Sequence, residues 1–498
     1  MRRKVIYNGR LCDGSGAEII PQDILLENET ICAIAQPGAF KDADAEFIDA
    51  ENHIVAPGFI DAHSHGEVRK LQYPENRTKF LQGITTEVDG NCGHSSACVP
   101  YDSADFKWND LSEYAQTVND RKISTNTVVL AGHNSLRNAV MGSAPRTADA
   151  SEIQAMQKLL TTALEQGAAG WSTGLTYFPG KFSNQTELSS LAECTRNSKK
   201  VYATHMRSEG DDLMNALDEA IAAAAAGSGI LQISHIKTIF PRNYHKLDAM
   251  LEKIEAARQA GLTVYADRYP YIYSSTAIRQ TLPEPYCKVV DIADKLREST
   301  AYQAEVTAAL AHSPRDLATT IVTAKNMTLQ QIAEVKNCSI PEACMLEIME
   351  NPGANAAYLC MSESNLQRIL SLPWVCAGSD GISMQLDDPA QAGHPRAAGA
   401  LPRFFNMTQK LCGTAEAVRK MTGLPAGIFR IPRRGLIKPG FIADLVIFDE
   451  NNLDSPADFG NCAAAPQGIK RIMLAGETAW DEREPDRIQR LGKFIAVD

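Results

Sequence analysis

Six side chains that could bind a metal ion follow short apolar segments of the sequence. His63 and His65 close the segment VAPGFIDAHSH. Histidines two residues apart on a strand point to the same side, so both imidazoles can reach one ion. Cys92 follows the β-branched run ITTEVDG. Taken singly, each of the six also has a purely structural explanation, as a packed thiol, a hydrogen-bonded core histidine or a turn carboxylate. In chain order the six are His63, His65, Cys92, His205, His235 and Asp380.

The elements that must position these residues alternate through the middle of the chain. Helix-patterned segments such as SEIQAMQKLLTTALEQG and NYHKLDAMLEKIEAARQAG end near a glycine that can cap them, and they separate most of eight strand-like segments. This alternation predicts an α/β fold, a (β/α)8 barrel of the TIM type. An open doubly wound sheet is the alternative, but the polar residues end many different strands instead of one switch point. The strand-like segments are VAPGFIDAHSH, ITTEVDGNCG, TNTVVLAGHN, GAAGWSTGLTY, KVYATHM, GILQISHI, LTVYADRYPY and WVCAGSDG.

On such a barrel, all six metal-capable side chains converge on the mouth formed by the carboxyl ends of the strands. Burying so many polar groups there is costly unless they bind something. Zn²⁺ is the simplest candidate, because it accepts imidazole, thiolate and carboxylate together. The sequence therefore predicts a zinc site at the mouth, which is where barrel enzymes carry out their chemistry.

Both ends of the chain carry short alternating segments typical of antiparallel strands, such as KVIYNGRL near the start and GLIKPGFIADLVIFDE near the end. Chain termini commonly lie close together, so we expect residues 1–57 and 432–498 to form one small β-sandwich domain. The barrel then takes residues 58–431. Within it, residues from about 277 to 355 interrupt the alternation with charged, helical sequence. We expect this insertion to cover the active face as a lid.

The composition is that of an ordinary globular protein and disfavours several classes of partner. Of 498 residues, 49 are Lys or Arg and 60 are Asp or Glu, and the net charge of -11 disfavours nucleic acid and acidic membranes. No apolar run is long enough to span a bilayer, and the basic start MRRK lacks the apolar stretch of a signal peptide. Twelve scattered cysteines without paired spacings favour reduced thiols in a cytoplasm. The expected partner is a small-molecule substrate, and the oligomeric state is left open.

Short motifs spread over nearly the whole chain stand in a characteristic order. They are PGFIDAHSH, NCG, GHNSLR, GLTYFPG, THMRSEG, SHIKT, YPYIYSST, GSDG, HPRAAG and the tail IKPGFIADLVIFD. Together they resemble the D-aminoacylase (N-acyl-D-amino-acid deacylase) family of the metal-dependent amidohydrolase superfamily, although each motif alone is unspecific. The resemblance implies a zinc-dependent amidohydrolase that cleaves the linear amide bond of N-acyl-D-amino acids to a carboxylic acid and a free D-amino acid.

The resemblance also implies roles for the metal-binding set. Cys92, at the end of the second strand, would replace the carboxylated lysine that many related amidohydrolases carry on strand 4, and the segment GAAGWSTGLTY indeed contains no lysine. Zinc would hold this thiol as a thiolate, so it would act as a ligand and not as a nucleophile. The ligands of the tight zinc would be Cys92, His205 and His235, and those around a second, weaker position would be His63, His65 and Asp380.

The same resemblance assigns the reaction to residues near the metal. Asp380 would take the proton of the attacking water and deliver it to the leaving amine. Tyr177, to which the resemblance points more than to His65, would stabilise the developing oxyanion. The free carboxylate of the substrate would meet cationic and hydroxyl groups, among which an arginine is suited to bind it through two parallel hydrogen bonds. These substrate-binding residues would be Lys237, Tyr269, Ser275 and Arg396.

Two alternative functions stand beside this one. A cyclic-amide hydrolase of the hydantoinase or dihydropyrimidinase kind shares the expected fold, but the missing strand-4 lysine argues against it. A metal-free, non-catalytic scaffold homologue would be marked by lost ligands, and no proposed ligand is missing. The sequence leaves open the preferred acyl group and side chain, the number of metals used in turnover and, beyond the resemblance, the preference for D over L.

Overall fold

Eight parallel strands form a ring at the centre of the computed structural model, which describes residues 2–386 and 393–498. Each strand pairs with the preceding one in the ring. The ring closes between the first and eighth strands, where the Ala62 N–H donates to the Ala377 carbonyl at 3.1 Å and Ser64 bridges Gly381 in parallel. The predicted (β/α)8 barrel is therefore confirmed. The barrel strands, numbered 1 to 8, are Phe59–Asp61, Ile84–Asp89, Asn126–Gly132, Gly170–Gly174, Val201–His205, Ile230–Ile233, Thr263–Arg268 and Val375–Ala377.

The barrel strands are buried on both faces, as is usual for parallel strands covered by helices. Strands 2 and 3 are buried throughout their lengths, which explains their continuous β-branched and apolar runs. The acidic residues inside strand 2 are neutralised locally, since Glu87 and Asp89 lie 3.0 and 2.6 Å from the buried Lys70 Nζ. These charged residues therefore have a structural role in the barrel and are not assigned a role in catalysis at its mouth.

Helices connect the barrel strands and cover their outer side. Ala150–Glu165 shows how such a helix begins, because the Asp149 side chain accepts from the Glu152 N–H and the Glu152 side chain accepts from the Asp149 N–H. The helices up to strand 7 are Arg69–Gln72, Arg77–Phe80, Leu111–Arg121, His133–Met141, Ala150–Glu165, Gln185–Ala192, Leu213–Ala226 and Leu247–Gln259. Those around strand 8 are Glu363–Ser371, Arg396–Cys412, Thr414–Met421 and Gly423–Ile428. Short 3-10 helices occur at Gly180–Phe182, Glu193–Thr195, Pro241–Lys246, Ile278–Thr281, Tyr286–Lys288 and Thr323–Lys325.

Between strands 7 and 8 the chain forms a separate layer of sheet and helices. Tyr273–Ala277 pairs antiparallel with Asn355–Leu359, so the inserted chain leaves and re-enters the barrel through one two-stranded ribbon. Ile321–Val322 and Met327–Thr328 extend this small sheet. The sequence predicts the helical part of the insertion, but the pairing that anchors it joins segments about 80 residues apart, which local patterns do not reveal. The helices of the insertion are Ile292–Glu298, Thr300–Leu310, Leu329–Lys336 and Ile340–Glu350.

Two further sheets are built from the ends of the chain. The link between the ends is direct, because Leu445–Phe448 pairs antiparallel with Ile54–Pro57. Apolar side chains of both sheets, including Ile24 and Leu445, share one core, which gives the predicted β-sandwich. One sheet contains Thr30–Ala35, Asp23–Glu27, Arg3–Tyr7 and Glu46–Asp49; the other contains Glu477–Asp481, Ile469–Leu474, Leu445–Phe448, Ile54–Pro57, Arg10–Leu11 and Ile20–Pro21.

A short hairpin pairs Tyr101–Asp102 with Lys107–Trp108 after strand 2.

Across residues 2–386 and 393–498, no helix is both long enough and apolar enough to span a bilayer.

Candidate active site

The structure places all six metal-capable side chains at the carboxyl ends of the barrel strands. Three of them follow their strands in a left-handed backbone conformation, with φ of 53° at Cys92, 38° at His235 and 50° at Asp380. Residues other than glycine rarely adopt such φ values, and the conformational cost is typically retained at functional sites. The strained turns therefore coincide with the positions where the candidate ligands converge.

Strand 4 makes room for the cysteine turn. A Cβ atom on Gly174 would lie 2.0 Å from the Cys92 carbonyl oxygen, so only glycine permits this close approach. The strand reads GWSTG and has no lysine that could be carboxylated. On this side of the mouth, the anionic candidate ligand is therefore the sulfur.

The Cys92 sulfur is the centre of the cluster. It lies 3.3 Å from Nε2 of His63, 3.5 Å from Nε2 of His235 and 3.7 Å from Nδ1 of His205. Zinc bonds of about 2.3 Å to sulfur and about 2.1 Å to nitrogen, arranged tetrahedrally, would separate the two donor atoms by about 3.6 Å. A thiolate among imidazole nitrogens at these spacings fits zinc in both chemistry and size.

The donor atoms form two overlapping sets. Those of His63, Cys92, His235 and Asp380 all lie within 4.8 Å of one another, and so do those of His205, Glu209 and His235. Asp380 Oδ1 also lies 3.1 Å from Nε2 of His65, which places that histidine at the edge of the first set. His235 belongs to both sets, and the sets divide the residues differently from the tight and weak positions predicted from sequence, because His63 and Asp380 lie with Cys92.

Asp267, at the end of strand 7, holds two of the candidate ligands in place. Its carboxylate accepts from Nδ1 of His63 at 3.0 Å and from the backbone N–H of His235 at 2.9 Å. Donation from Nδ1 leaves Nε2 of His63 free to bind a metal, as in many metal sites where a carboxylate orients a ligating histidine. Sequence analysis missed Asp267, although the polar residues ending LTVYADRYPY were a usable signal.

Glu209 plays a similar part beside strand 5 and was also missed. Its Oε1 lies 3.0 Å from Nδ1 of His235, and its Oε2 lies 3.8 Å from Nε2 of His205. Lys237 donates to Glu209 and lies 2.7 Å from Nδ1 of His235. Lys237 therefore enters the site already paired with a carboxylate, which the motifs THMRSEG and SHIKT do not reveal singly.

The charges of the cluster favour ionised ligands. Burial by itself would raise the pKa of Cys92, but the positive rings of His63 and His235 outweigh it and hold the pKa well below its usual value. Burial likewise opposes ionisation of Asp380, yet Arg396 and His63 keep the pKa of that carboxyl well below its usual range. The site therefore presents a thiolate and a carboxylate to a cation.

A cleft of about 470 Å³ opens beside these ligands. Tyr177 lines it with its ring edge against His205, at a centroid distance of 4.8 Å. Burial and the charge of Cys92 raise the pKa of Tyr177 well above its usual value, so its hydroxyl stays a hydrogen-bond donor. Other sequence-predicted residues that line this cleft are Lys237, Tyr269, Ser275 and Asp380.

Arg396 lies behind that lining, at the start of the helix after strand 8. Its Nη1 is 2.7 Å from Oδ2 of Asp380, and its Nη2 is 3.5 Å from the carbonyl oxygen of Ser275. Its guanidinium also lies 4.9 Å from the centre of the Tyr269 ring. The residues proposed for substrate recognition are therefore gathered on one side of the candidate metal ligands. A larger groove of about 640 Å³ lies on the sandwich and has none of these groups.

Known proteins with similar sequence and structure include deacylases and a D-aminoacylase. A model of the amidohydrolase family matches residues 46–265. An N-acyl-D-glutamate deacylase from Alcaligenes xylosoxydans xylosoxydans is 31% identical over 99% of this chain and 96% of its own. A D-aminoacylase from the same organism is 30% identical over 96% of this chain and 94% of its own.

Solved structures extend the likeness to the whole fold. An N-acyl-D-glutamate deacylase from Bordetella bronchiseptica, complexed with zinc and a phosphonate inhibitor that mimics the tetrahedral intermediate, has a TM-score of 0.83 and 30% identity. The match covers 99% of each chain. An L-hydantoinase from Arthrobacter aurescens, at 15% identity and a TM-score of 0.58, shows likeness of fold alone.

Proposed function

Because the chain belongs to the D-aminoacylase family of amidohydrolases, we propose that it is a zinc-dependent hydrolase that cleaves N-acyl-D-amino acids. The products are a carboxylic acid and a free D-amino acid. The observation that carries the proposal is the cluster around Cys92, whose sulfur lies 3.3–3.7 Å from three imidazole nitrogens beside the carboxylate of Asp380.

We assign the tight zinc to Cys92, His205 and His235, three ligands that leave a coordination position open. The second, weaker position is assigned to His63, His65 and Asp380. When bound, zinc supplies polarisation of the scissile carbonyl and lowers the pKa of water to about 7.

Asp380 is assigned to move the proton. Its carboxylate is ionised because Arg396 and His63 stabilise the charge, so it can accept the proton of the attacking water. The same carboxyl then donates this proton to the amide nitrogen as the C–N bond breaks. Protonation is required because an amine anion is a very poor leaving group.

Tyr177 is assigned to the oxyanion. Its protonated hydroxyl lines the cleft, and a donor directed at the carbonyl oxygen stabilises the charge that develops there. The α-carboxylate of the substrate is assigned to the opposite group of side chains. These are Lys237, Tyr269, Ser275 and Arg396.

Lys237 and Arg396 are both paired with protein carboxylates, Glu209 and Asp380, which bears on how they bind substrate. The guanidinium of Arg396 keeps further N–H groups, so a substrate carboxylate can join its pair without replacing Asp380. The three N–H groups of Lys237 instead contact Glu209, Nδ1 of His235 and the His235 carbonyl oxygen, so a substrate carboxylate there must displace one of these contacts. Arg396 would then contact the substrate and the proton-transferring carboxylate together, which positions the amide bond relative to Asp380.

We also propose that the division of the chain is 1–57 with 432–498 for the sandwich and 58–431 for the barrel, and that the enzyme works on a small molecule in the cytoplasm. Twelve cysteines without paired spacings and a net charge of -11 support the compartment and the lack of polyanionic partners. Cell fractionation with an antibody to the chain tests the location.

A matched screen tests the proposed function. The zinc-loaded protein is assayed with N-acetyl derivatives of the D and L forms of leucine, glutamate and glutamine, and with hydantoin and dihydrouracil. We expect hydrolysis of D derivatives that disappears after chelation and returns with Zn²⁺. If the protein hydrolyses the cyclic amides but none of the linear substrates, it is a cyclic-amide hydrolase. Inactivity on both kinds of substrate would support a scaffold.

A further inference from the structure

Arg315, a residue of the insertion, contributes a positive charge to the active-site cleft. This charge has no role in the proposed hydrolysis. Arg315 lines the same cleft as Lys237 and Asp380. Its Nε donates to the Gln280 carbonyl at 3.0 Å, and its Nη1 is buried without a hydrogen-bond acceptor. Within residues 2–386 and 393–498, no carboxylate lies within salt-bridge distance of this guanidinium. A guanidinium N–H group that is buried without an acceptor is costly, which points to an anion that binds there.

Most neighbouring charged groups at the cleft differ from Arg315 because they already have partners of opposite charge; the exception is Asp212, an exposed carboxylate on the rim. Their pairing leaves them close to neutral, so the cleft has one cation to offer to a ligand beyond those that hold the α-carboxylate. The pairs are Lys237 with Glu209, Arg207 with Glu219, Asp211 with Arg242 and Glu284 with Lys288.

Two aromatic rings restrict the position of Arg315. Its guanidinium carbon lies 4.1 Å from the centre of the Tyr358 ring and 5.7 Å from that of Phe240. Both rings are buried, with exposed fractions of 2% and 9%. The loop is tied down as well, since Ser313 Oγ donates to the Thr281 carbonyl at 2.8 Å. Cation–π contacts of this kind restrict the guanidinium without using its hydrogen-bond donors, so N–H groups remain available for an anion.

We infer that Arg315 binds a carboxylate on the side chain of the substrate, which makes N-acylated acidic D-amino acids, the glutamate and aspartate class, the preferred substrates. This inference rests on the proposed function. With the amide at Asp380 and the α-carboxylate at Arg396 and Lys237, the remaining substituent of the substrate Cα faces the rest of the cleft wall. There Phe240 offers an apolar surface to the methylene groups, and Arg315 offers two parallel N–H donors to the terminal carboxylate.

The test compares N-acetyl-D-glutamate with N-acetyl-D-glutamine, which have nearly the same shape and differ in charge. For the wild type we expect kcat/KM to be at least about 100-fold higher for the glutamate derivative, because the amide leaves the cation unpaired. In Arg315→Met the ratio should fall to within about threefold of unity. Arg297→Met, which removes an exposed arginine of the same insertion, serves as the matched control and should keep the wild-type ratio.

Each result decides between the proposals. A wild type that hydrolyses no N-acetyl-D-amino acid contradicts the proposed function. One that hydrolyses N-acetyl-D-leucine well but shows no preference for the glutamate derivative overturns only the assignment of Arg315, and so does a ratio unchanged in Arg315→Met. If that variant is inactive on both substrates, calorimetric binding decides: equal affinities for the two derivatives support the assignment, and a retained preference for glutamate contradicts it.

Discussion

Nη1 of Arg396 lies 2.7 Å from Oδ2 of Asp380, so the carboxylate beside the candidate metal ligands is held by the arginine assigned to substrate recognition. Both side chains are nearly buried, with exposed fractions of 10% and 11%. A buried pair of this kind costs several kcal/mol when one partner is removed. Substrate binding and proton transfer are therefore expected to depend on the same contact.

Replacing Arg396 with methionine should weaken discrimination between an N-acetyl-D-amino acid and its methyl ester. In the wild type, masking the α-carboxylate leaves the cationic groups unpaired, a cost on the order of 2–5 kcal/mol. The ratio of kcat/KM for acid over ester should thus be large in the wild type and at least about tenfold smaller in the variant. Equal kcat/KM values for acid and ester in the wild type would show that these residues do not bind the α-carboxylate.

Cys92→Ser should lose the tight zinc, because a hydroxyl does not ionise near neutral pH and cannot replace the thiolate among the imidazoles. The wild type should retain about one zinc per chain after dialysis against a mild chelator. Cys412→Ser, at a partly exposed thiol bonded to the Ser371 carbonyl, is the control and should keep its zinc. Full zinc content in the Cys92 variant would remove this residue from the ligand set.

Asp380→Asn should lower turnover about 10²- to 10⁴-fold, because an amide cannot accept and return the proton. Zinc content should change little, since Cys92, His205 and His235 remain. Asp212→Asn, at an exposed acidic residue on the rim of the cleft, should leave turnover near the wild-type value. Wild-type kcat in the Asp380 variant would place the base elsewhere.

Asp267→Asn should reduce metal affinity or activity about 10- to 100-fold, because the ring of His63 loses its charged acceptor at 3.0 Å. Competition with a chromogenic chelator measures the metal affinity. The exposed Asp248, 65% accessible, provides the control substitution Asp248→Asn. A variant with unchanged metal affinity and activity would show that Asp267 serves packing alone.

The insertion should become resistant to proteolysis when the cleft is filled. Gln280, Glu284 and Arg315 come from the insertion and line the cleft together with Asp380 from the barrel, so a bound ligand contacts both parts. Limited digestion of the zinc-loaded protein with and without a D-amino acid and acetate should show slower cleavage within residues 277–355. Identical digestion in both states would argue against a lid.

Much of the fold was readable because its signals are local. The alternation of strand-like and helix-like segments predicts the barrel, and short alternating strands at both ends predict the sandwich. Candidate ligands such as His63 and Cys92 stand immediately after strand-like runs, so the barrel rule alone places them at the mouth. The order of the motifs then pointed to the family.

The tertiary structure decided which residues act together, because hydrogen bonds and charge pairs join positions that are remote in sequence. Asp267 meets His63 across 204 residues, and Glu209 reaches His235 from the loop after strand 5. Arg315 lacks a carboxylate partner among the described residues, whereas arginines near it are paired. No local sequence pattern reveals this difference. The sequence thus determined the set of chemical groups and the frame that carries them. Their distances, partners and unpaired charge were decided by packing, which depends on the whole chain at once.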